Sequence, residues 1–143
     1  MDKKNPIITN FDLKIIADYF KELNRQGPGA DEQTEKALSF IPELSSMKRI
    51  ADIGCGAGAQ TRVLATHTEA EIIANDLLPE MIEELNRRMA RLGLENRVKT
   101  ILTSMTNLPF EDESLDLIWA EGSIYNIGFE KGFAEWKRFL KKG

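Results

Sequence analysis

Cysteine, histidine and long apolar runs are scarce in this sequence, and each scarcity excludes a class of protein. Cys55 and His67 are the only residues of their types among 143. An intramolecular disulfide is therefore impossible, and no Cys and His residues have the spacing of a metal site. No apolar run approaches the roughly 18 residues of a membrane span, and residues 1–10 lack the apolar core of a signal peptide. We expect a cytoplasmic protein with no metal centre and no membrane partner.

Basic charge is not in excess either. The chain has 19 Lys and Arg against 23 Asp and Glu, which gives a net charge of −4. A nucleic-acid-binding face needs clustered positive charge to displace the counterions of phosphates. We therefore expect no nucleic-acid partner. The remaining composition, 42% hydrophobic and 29% charged, is that of an ordinary globular domain with a packed core.

The second part of the chain, residues 48–143, alternates short apolar runs with helical stretches. The runs are short and show little polar alternation, as expected for strands buried on both faces. Alternation of such strands with helices predicts an α/β fold in which a parallel sheet carries helices on both faces. The predicted strands are residues 49–53, 71–75, 98–102 and 115–120.

The first part, residues 1–47, is predicted to be a helical extension of two helices and a loop that lies across the ligand pocket as a lid. Apolar residues recur about every four positions in its first half and predict one buried stripe. The segment 26–29, with sequence QGPG, is either an ordinary helix stop or part of a lid over a ligand. The stripe consists of Phe11, Ile15, Ile16, Tyr19, Phe20 and Leu23.

The last predicted strand, residues 115–120, is strongly apolar, and the sequence continues only to a further helix. An uncovered apolar strand invites pairing with another chain. We therefore expect that the C-terminal strands of the domain are missing from this chain. We also expect that the uncovered fourth strand permits self-association.

A glycine loop follows the first predicted strand. Gly54, Gly56 and Gly58 lack Cβ atoms, so the loop can turn sharply and admit a ligand to the main chain. Asp76 ends the second predicted strand, 22 residues after Gly54. In doubly wound folds a carboxylate at that position accepts hydrogen bonds from a ribose. Loop and acid together predict a nucleoside cofactor.

The loop alone leaves the cofactor open. Gly54, Gly56 and Ala59 satisfy the G-x-G-x-x-G/A pattern of dinucleotide-binding proteins, so an NAD(P)-dependent oxidoreductase is one alternative. A noncatalytic nucleoside-cofactor-binding module is another. Residues 107–119, beyond the loop, provide the evidence that favours a different class of enzyme over the oxidoreductases.

Two motifs together resemble the class I S-adenosylmethionine-dependent methyltransferases. The sequence DIGCGAG at 52–58 matches the family's first motif, an acid two residues before three alternating glycines. The sequence NLPFEDESLDLIW at 107–119 is similar to the segment that leads into the family's fourth strand. The resemblance covers about residues 48–142. It implies a Rossmann-like cofactor-binding domain, S-adenosylmethionine as cofactor, S-adenosylhomocysteine as product, and a small-molecule methyl acceptor.

The resemblance also implies cofactor-binding roles. Asp52 and the backbone of Gly54, Gly56 and Gly58 would border the methionine part of the cofactor. Asp76 would hold the ribose, and Leu77 would pack against the adenine. These roles are carried over from matched motif positions.

The adenine and acceptor ends are less closely matched. Many family members have an aspartate facing the adenine amino group, but this chain has Ser104 followed by Met105. Glu121 would close the cofactor pocket at the end of the fourth strand. Glu121 and Tyr125 are also the candidate bases for an acceptor that must lose a proton.

Overall fold

Four parallel strands form the sheet in a computed structural model that describes residues 10–143, with side chains from Leu13 onward. Their spatial order is β3-β2-β1-β4, and every neighbouring pair is parallel. The predicted parallel α/β fold is thereby confirmed. The strands are β1 (Arg49–Ile53), β2 (Glu71–Asp76), β3 (Val98–Leu102) and β4 (Leu117–Trp119).

Helices pack on both faces of this sheet. One buried cluster joins α2, α3 and α4 to one face, and a second joins α5 to the other. Ile50 lies in the first cluster and Ile53 in the second, which explains why the strands contain few polar residues. The helices are α1 (Asn10–Phe20), α2 (Asp31–Leu38), α3 (Ala59–His67), α4 (Pro79–Arg91) and α5 (Phe129–Trp136), with 3₁₀ turns at Leu44–Ser46, Ile124–Asn126 and Lys137–Phe139.

The ends of α4 illustrate how local sequence sets an element. Pro79 occupies the first helical position, where its missing N–H would have no partner and its fixed φ suits the helix. Gly93 follows the helix at φ +69°, a left-handed conformation that glycine adopts without steric cost. Met81, Leu85 and Met89 are the buried residues of the helix.

Most of the buried stripe predicted for α1 is wrong, and Phe20 is its one described member that packs against the buried cluster of Ala17, Ala57 and Met81. Ile15 is 53% exposed and Tyr19 is 67% exposed, whereas Ala17 is fully buried against Ala57 and Met81. A small residue lets α1 approach the rest of the domain closely, so contact is made through Ala17. Phe11 belongs to the predicted stripe, but its side chain lies outside the described residues, as does everything before residue 10.

The predicted fourth strand, 115–120, is longer than the observed β4. β4 pairs with β1 only from Leu117 to Trp119. Leu115 instead forms a parallel bridge with Leu140, and the Lys141 N–H donates to the Leu115 carbonyl at 2.9 Å. Residues next to β4 thus begin to cover its outer side. Self-association through this edge stays a prediction.

Strand order changes direction at β1, because β2 and β3 lie to one side and β4 to the other. In open α/β sheets a crevice forms at this point, outside the carboxyl ends of the strands. The glycine loop follows β1, and Glu121 follows β4. The topology therefore brings both segments to one crevice.

Candidate functional site

A cavity of about 610 Å³ lies at the carboxyl ends of the strands. Its walls come from the loops after all four strands, from α1 and from the segment between α1 and α2. The volume is typical of small-molecule and cofactor sites. Eight of the predicted site residues line it: Gly54, Gly56, Asp76, Leu77, Ser104, Met105, Glu121 and Tyr125. Asp52 and Gly58 do not.

The glycine loop is held in place by hydrogen bonds from its backbone N–H groups. The Gly54 and Cys55 N–H groups both donate to the Asn75 carbonyl, at 2.9 and 2.8 Å, and the Gly58 N–H donates to the Cys55 carbonyl. Gly56 N–H donates to Asp76 Oδ2 at 2.9 Å. This network fixes the loop against the end of β2, so the cavity wall is preformed.

Two glycines of the loop are required for packing as well as for the turn. A Cβ at Gly54 would lie 2.4 Å from the Ser123 Cβ, and a Cβ at Gly58 would lie 2.9 Å from Leu85 Cγ. Both glycines have positive φ. Gly58 thus allows α4 to pack against the start of α3, which explains its distance from the cavity. Its predicted contact with a cofactor stays a prediction.

Asp76 is held by two backbone donors. Its Oδ2 accepts from Gly56 N–H, and its Oδ1 accepts from Leu78 N–H at 3.0 Å. Leu78 is the residue that precedes α4. The carboxylate thus joins the glycine loop to the start of α4 while it lines the cavity. Its role toward a ribose stays a prediction.

Asp52 lies beneath the loop and is fully buried. Thr61 Oγ1 donates to its Oδ2 at 2.6 Å, and Gln60 Nε2 approaches its Oδ1 at 3.4 Å. Burial raises the pKa of Asp52 to about 7, and the hydrogen bonds from Thr61 and Gln60 oppose that rise only in part. The side chain therefore joins the end of β1 to the start of α3, and Gln60 of α3 also donates to the Cys55 carbonyl of the loop at 3.2 Å. Its predicted place beside the methionine part of a cofactor stays a prediction.

The raised pKa of Asp52 predicts a pH-dependent stability. The unfolded carboxyl titrates near its ordinary value of 3.8 and the folded one at about 7. The folded chain therefore holds a proton that the unfolded chain has lost, and stability falls as pH rises through this range. From pH 5 to 8 the loss should be roughly 2 to 3 kcal/mol.

Urea unfolding at pH 5, 6, 7 and 8 measures this effect against Asp52→Asn, which cannot titrate. The wild type should lose stability relative to the variant as pH rises. Other carboxylates titrate in both proteins and cancel in the difference. Parallel pH profiles for the two proteins would show that Asp52 ionises normally.

Glu121 is surrounded by three donors, which come from the segment between α1 and α2, from α2 and from β4. Arg25 Nη1 lies 2.9 Å from Oε1, and Thr34 Oγ1 lies 3.0 and 2.9 Å from the two carboxylate oxygens. Trp119 Nε1 donates to Oε2 at 3.0 Å. The role of Glu121 as a base toward an acceptor stays a prediction. Its observed contacts attach residues 25–34 to the end of β4.

Apolar side chains also line part of the cavity. They come from α1 and from the start of α4, and include Leu13, Ile16, Phe20, Leu78 and Met81. Tyr125 lies at the edge and is 67% exposed. Ser104 lines the cavity, but its Oγ lies 2.9 Å from Thr106 Oγ1, so its hydroxyl has a local partner.

Sequence reasoning missed several polar residues of this site, among them Arg25, Asn75 and Ser123. Arg25 pairs with Glu121, which lies 96 positions away. Asn75 is buried and donates through Nδ2 to the Thr103 carbonyl at 2.6 Å, and Ser123 Oγ donates to the Ile53 carbonyl at 2.6 Å. Only Asn75 had a local signal, since it directly precedes Asp76. The other two depend on contacts across the fold.

A family described as a methyltransferase domain matches residues 50–143. The match covers more than half of the chain, including the glycine loop, Asp76 and β4. The chain belongs to the class I S-adenosylmethionine-dependent methyltransferases.

Individual proteins are similar in sequence to this chain. It is 31% identical over 115 residues to methyltransferase GfsG of Streptomyces halstedii, covering 80% of this chain and 41% of that protein. It is 31% identical over 102 residues to sterol 4-C-methyltransferase strm-1 of Caenorhabditis elegans, covering 71% and 30%. The chain therefore spans less than half the length of these relatives.

The fold of the methyltransferase chain also matches solved structures. A geranyl diphosphate methyltransferase in complex with S-adenosylmethionine superposes with a TM-score of 0.72, at 25% identity, over 97% of this chain and 53% of that one. The predicted Rossmann-like architecture is confirmed by this likeness and by the family. Within residues 10–143, no helix combines the length and apolar character needed to cross a membrane.

Proposed function

We propose that this chain binds S-adenosylmethionine and takes part in methyl transfer to a small-molecule acceptor. The observation that carries the proposal is one cavity lined by the glycine loop, by the Asp76 carboxylate and by apolar side chains of α1 and α4. The residues fit such a cofactor, since the cavity has the volume of a cofactor site and Gly56 places no side chain on its wall. The chain belongs to a family of methyltransferases, and this membership favours methyl transfer over a nicotinamide-dependent oxidation.

The cofactor would supply a methyl group on a positively charged sulfur, which passes directly to a nucleophile. The chain then has to hold donor and acceptor in line and to exclude water. We propose that Gly54 and Gly56 border the methionine part, that Asp76 holds the ribose, and that Leu77, Ser104 and Met105 border the adenine. Asp52 would support the loop from below.

The acceptor end is proposed to take a small molecule. Arg25, Asp76 and Glu121 are the charged side chains among the described residues that line the cavity, and each already has protein partners. The net charge of −4 gives no support to a nucleic-acid acceptor. The relatives above include proteins named for a sterol and for geranyl diphosphate, which agrees with a small acceptor.

We propose that residues 10–47 cover the cavity as a lid. The Arg25 and Thr34 contacts to Glu121 attach this part to β4, and α1 contributes apolar residues to the wall. Glu121 then acts as an anchor for the lid. Tyr125, which has no such contacts among the described residues and lies at the cavity edge, is the better candidate base where the acceptor must lose a proton.

A thermal-shift titration tests the cofactor. S-adenosylhomocysteine at 100 times its dissociation constant should raise the free energy of unfolding by about 2.7 kcal/mol. NAD and NADP at equal concentration should give no shift. A shift with NAD alone would contradict the proposal. Transfer of labelled methyl from S-adenosylmethionine to a sterol, prenyl or amino-acid acceptor would then exclude the noncatalytic alternative.

A further inference from the structure

Gln26 makes an unusual contact with the glycine loop. Its Oε1 accepts a hydrogen bond from the Ala57 N–H at 2.9 Å. Its Nε2 donates to the carbonyls of Phe20 and Leu23, at 2.9 and 3.1 Å. One neutral side chain therefore connects the end of α1 to the loop that forms the cavity wall.

The acceptors of the loop amides fall into two kinds. The N–H groups of Gly54, Cys55 and Gly58 donate to backbone carbonyls, which cannot move without a change of fold. Those of Gly56 and Ala57 donate to the side chains of Asp76 and Gln26. Only these two amides can be released by rotation of a side chain.

Gln26 is the more readily displaced of these two side chains. Asp76 is charged, ends β2, and has a second backbone donor at Leu78. Gln26 is neutral and comes from the segment between α1 and α2. The Ala57 N–H lies just before α3, where the helix dipole favours a negative charge. A carboxylate there forms a stronger hydrogen bond than an amide oxygen does.

We propose that Gln26 is a built-in competitor for the amino-acid carboxylate of the cofactor. The carboxylate takes the Ala57 N–H, and Gln26 is displaced from it. Since Gln26 also holds the end of α1, cofactor binding and the position of residues 20–26 are coupled. This inference rests on the proposed function, because it takes the methionine part of the cofactor to lie at the glycine loop.

The close contact between Gln26 and Gly56 indicates that Gln26 occupies space that the cofactor would need. A Cβ built at Gly56 would lie 2.7 Å from Gln26 Oε1 and 3.5 Å from its Cδ. The amide group of Gln26 thus lies directly over the glycine that the cofactor is expected to approach. A ligand cannot reach the Gly56 backbone from this side unless Gln26 moves.

The test compares two ligands by calorimetry. S-adenosylhomocysteine carries the carboxylate, whereas 5′-methylthioadenosine has the same nucleoside and lacks the amino-acid part. Gln26→Ala should lower the dissociation constant of S-adenosylhomocysteine by about two- to tenfold, the usual effect of one hydrogen bond. The affinity for 5′-methylthioadenosine should stay within about twofold of the wild-type value.

Gln26→Glu provides the opposite change. A carboxylate at this position competes more strongly for the Ala57 N–H and repels the cofactor carboxylate, so S-adenosylhomocysteine should bind about tenfold more weakly. Asp116→Ala is the matched control, since Asp116 Oδ2 also accepts backbone N–H groups, those of Lys48 and Arg49, at 2.8 Å, and Asp116 does not line the cavity. It should change neither affinity.

The outcomes separate the possibilities. Weaker or unchanged binding of S-adenosylhomocysteine to Gln26→Ala would overturn the competition and make Gln26 a direct ligand or a bystander. Equal changes for both ligands would overturn it too, because they would indicate a general effect on cavity closure. No binding of either ligand to the wild type would instead overturn the proposed function.

Discussion

Replacing Gly56 by valine should abolish binding of S-adenosylhomocysteine while the chain still folds. Gly56 lines the cavity and has a φ of +56°, so a branched side chain there would fill space along the wall. The first clash is with Gln26 Oε1 at 2.7 Å, the far end of a flexible side chain that can move aside. Circular dichroism should therefore remain close to that of the wild type, and calorimetry should detect no binding.

Backbone strain alone has to be separated from this steric effect. A branched residue in the left-handed region costs about 1 to 3 kcal/mol wherever it occurs. Gly93 has a similar φ of +69°, and a Cβ there would meet nothing within 4 Å. Gly93→Val should lose comparable stability and bind S-adenosylhomocysteine normally. Normal binding by Gly56→Val would remove the glycine loop from the cofactor site.

Much of the fold could be predicted because its signals are local. Strands buried on both faces appear as short apolar runs, and Pro79 and Gly93 mark the ends of α4. The wrong predictions concern features that depend on contacts between elements distant in the sequence. The period of α1 indicated an apolar face, but Ala17 makes its buried contact. The observed β4 is shorter than the predicted strand 115–120, and Leu115 forms a bridge with Leu140 instead. The local sequence of residues 115–120 cannot reveal that contact.

The candidate site could likewise be predicted where its residues follow consecutive strands, and not where they come from the N-terminal helices. The glycine loop and Asp76 follow consecutive strands, so topology brings them together once the sheet is known. Gln26 lies 31 residues from Ala57, and Arg25 lies 96 residues from Glu121. Those contacts depend on how the N-terminal helices lie across the domain. No local pattern distinguishes an anchored Glu121 from a catalytic one.

Replacing Asp76 by alanine should weaken binding of S-adenosylhomocysteine at least tenfold. Hydrogen bonds from ribose hydroxyls to a carboxylate contribute roughly 1.5 to 3 kcal/mol. The variant also loses the acceptor of the Gly56 and Leu78 N–H groups, so its melting temperature should fall. Asp76→Asn keeps one acceptor oxygen and should give an intermediate affinity. Calorimetry on each folded variant provides the dissociation constants.

The loss of backbone hydrogen bonds needs its own control, and Asp116 provides one. Its Oδ2 accepts the Lys48 and Arg49 N–H groups, both at 2.8 Å, and it does not line the cavity. Asp116→Ala should therefore lower the melting temperature as Asp76→Ala does, yet leave the affinity for S-adenosylhomocysteine unchanged. If Asp76→Ala also leaves that affinity unchanged, the Asp76 carboxylate serves only to hold the glycine loop and the start of α4.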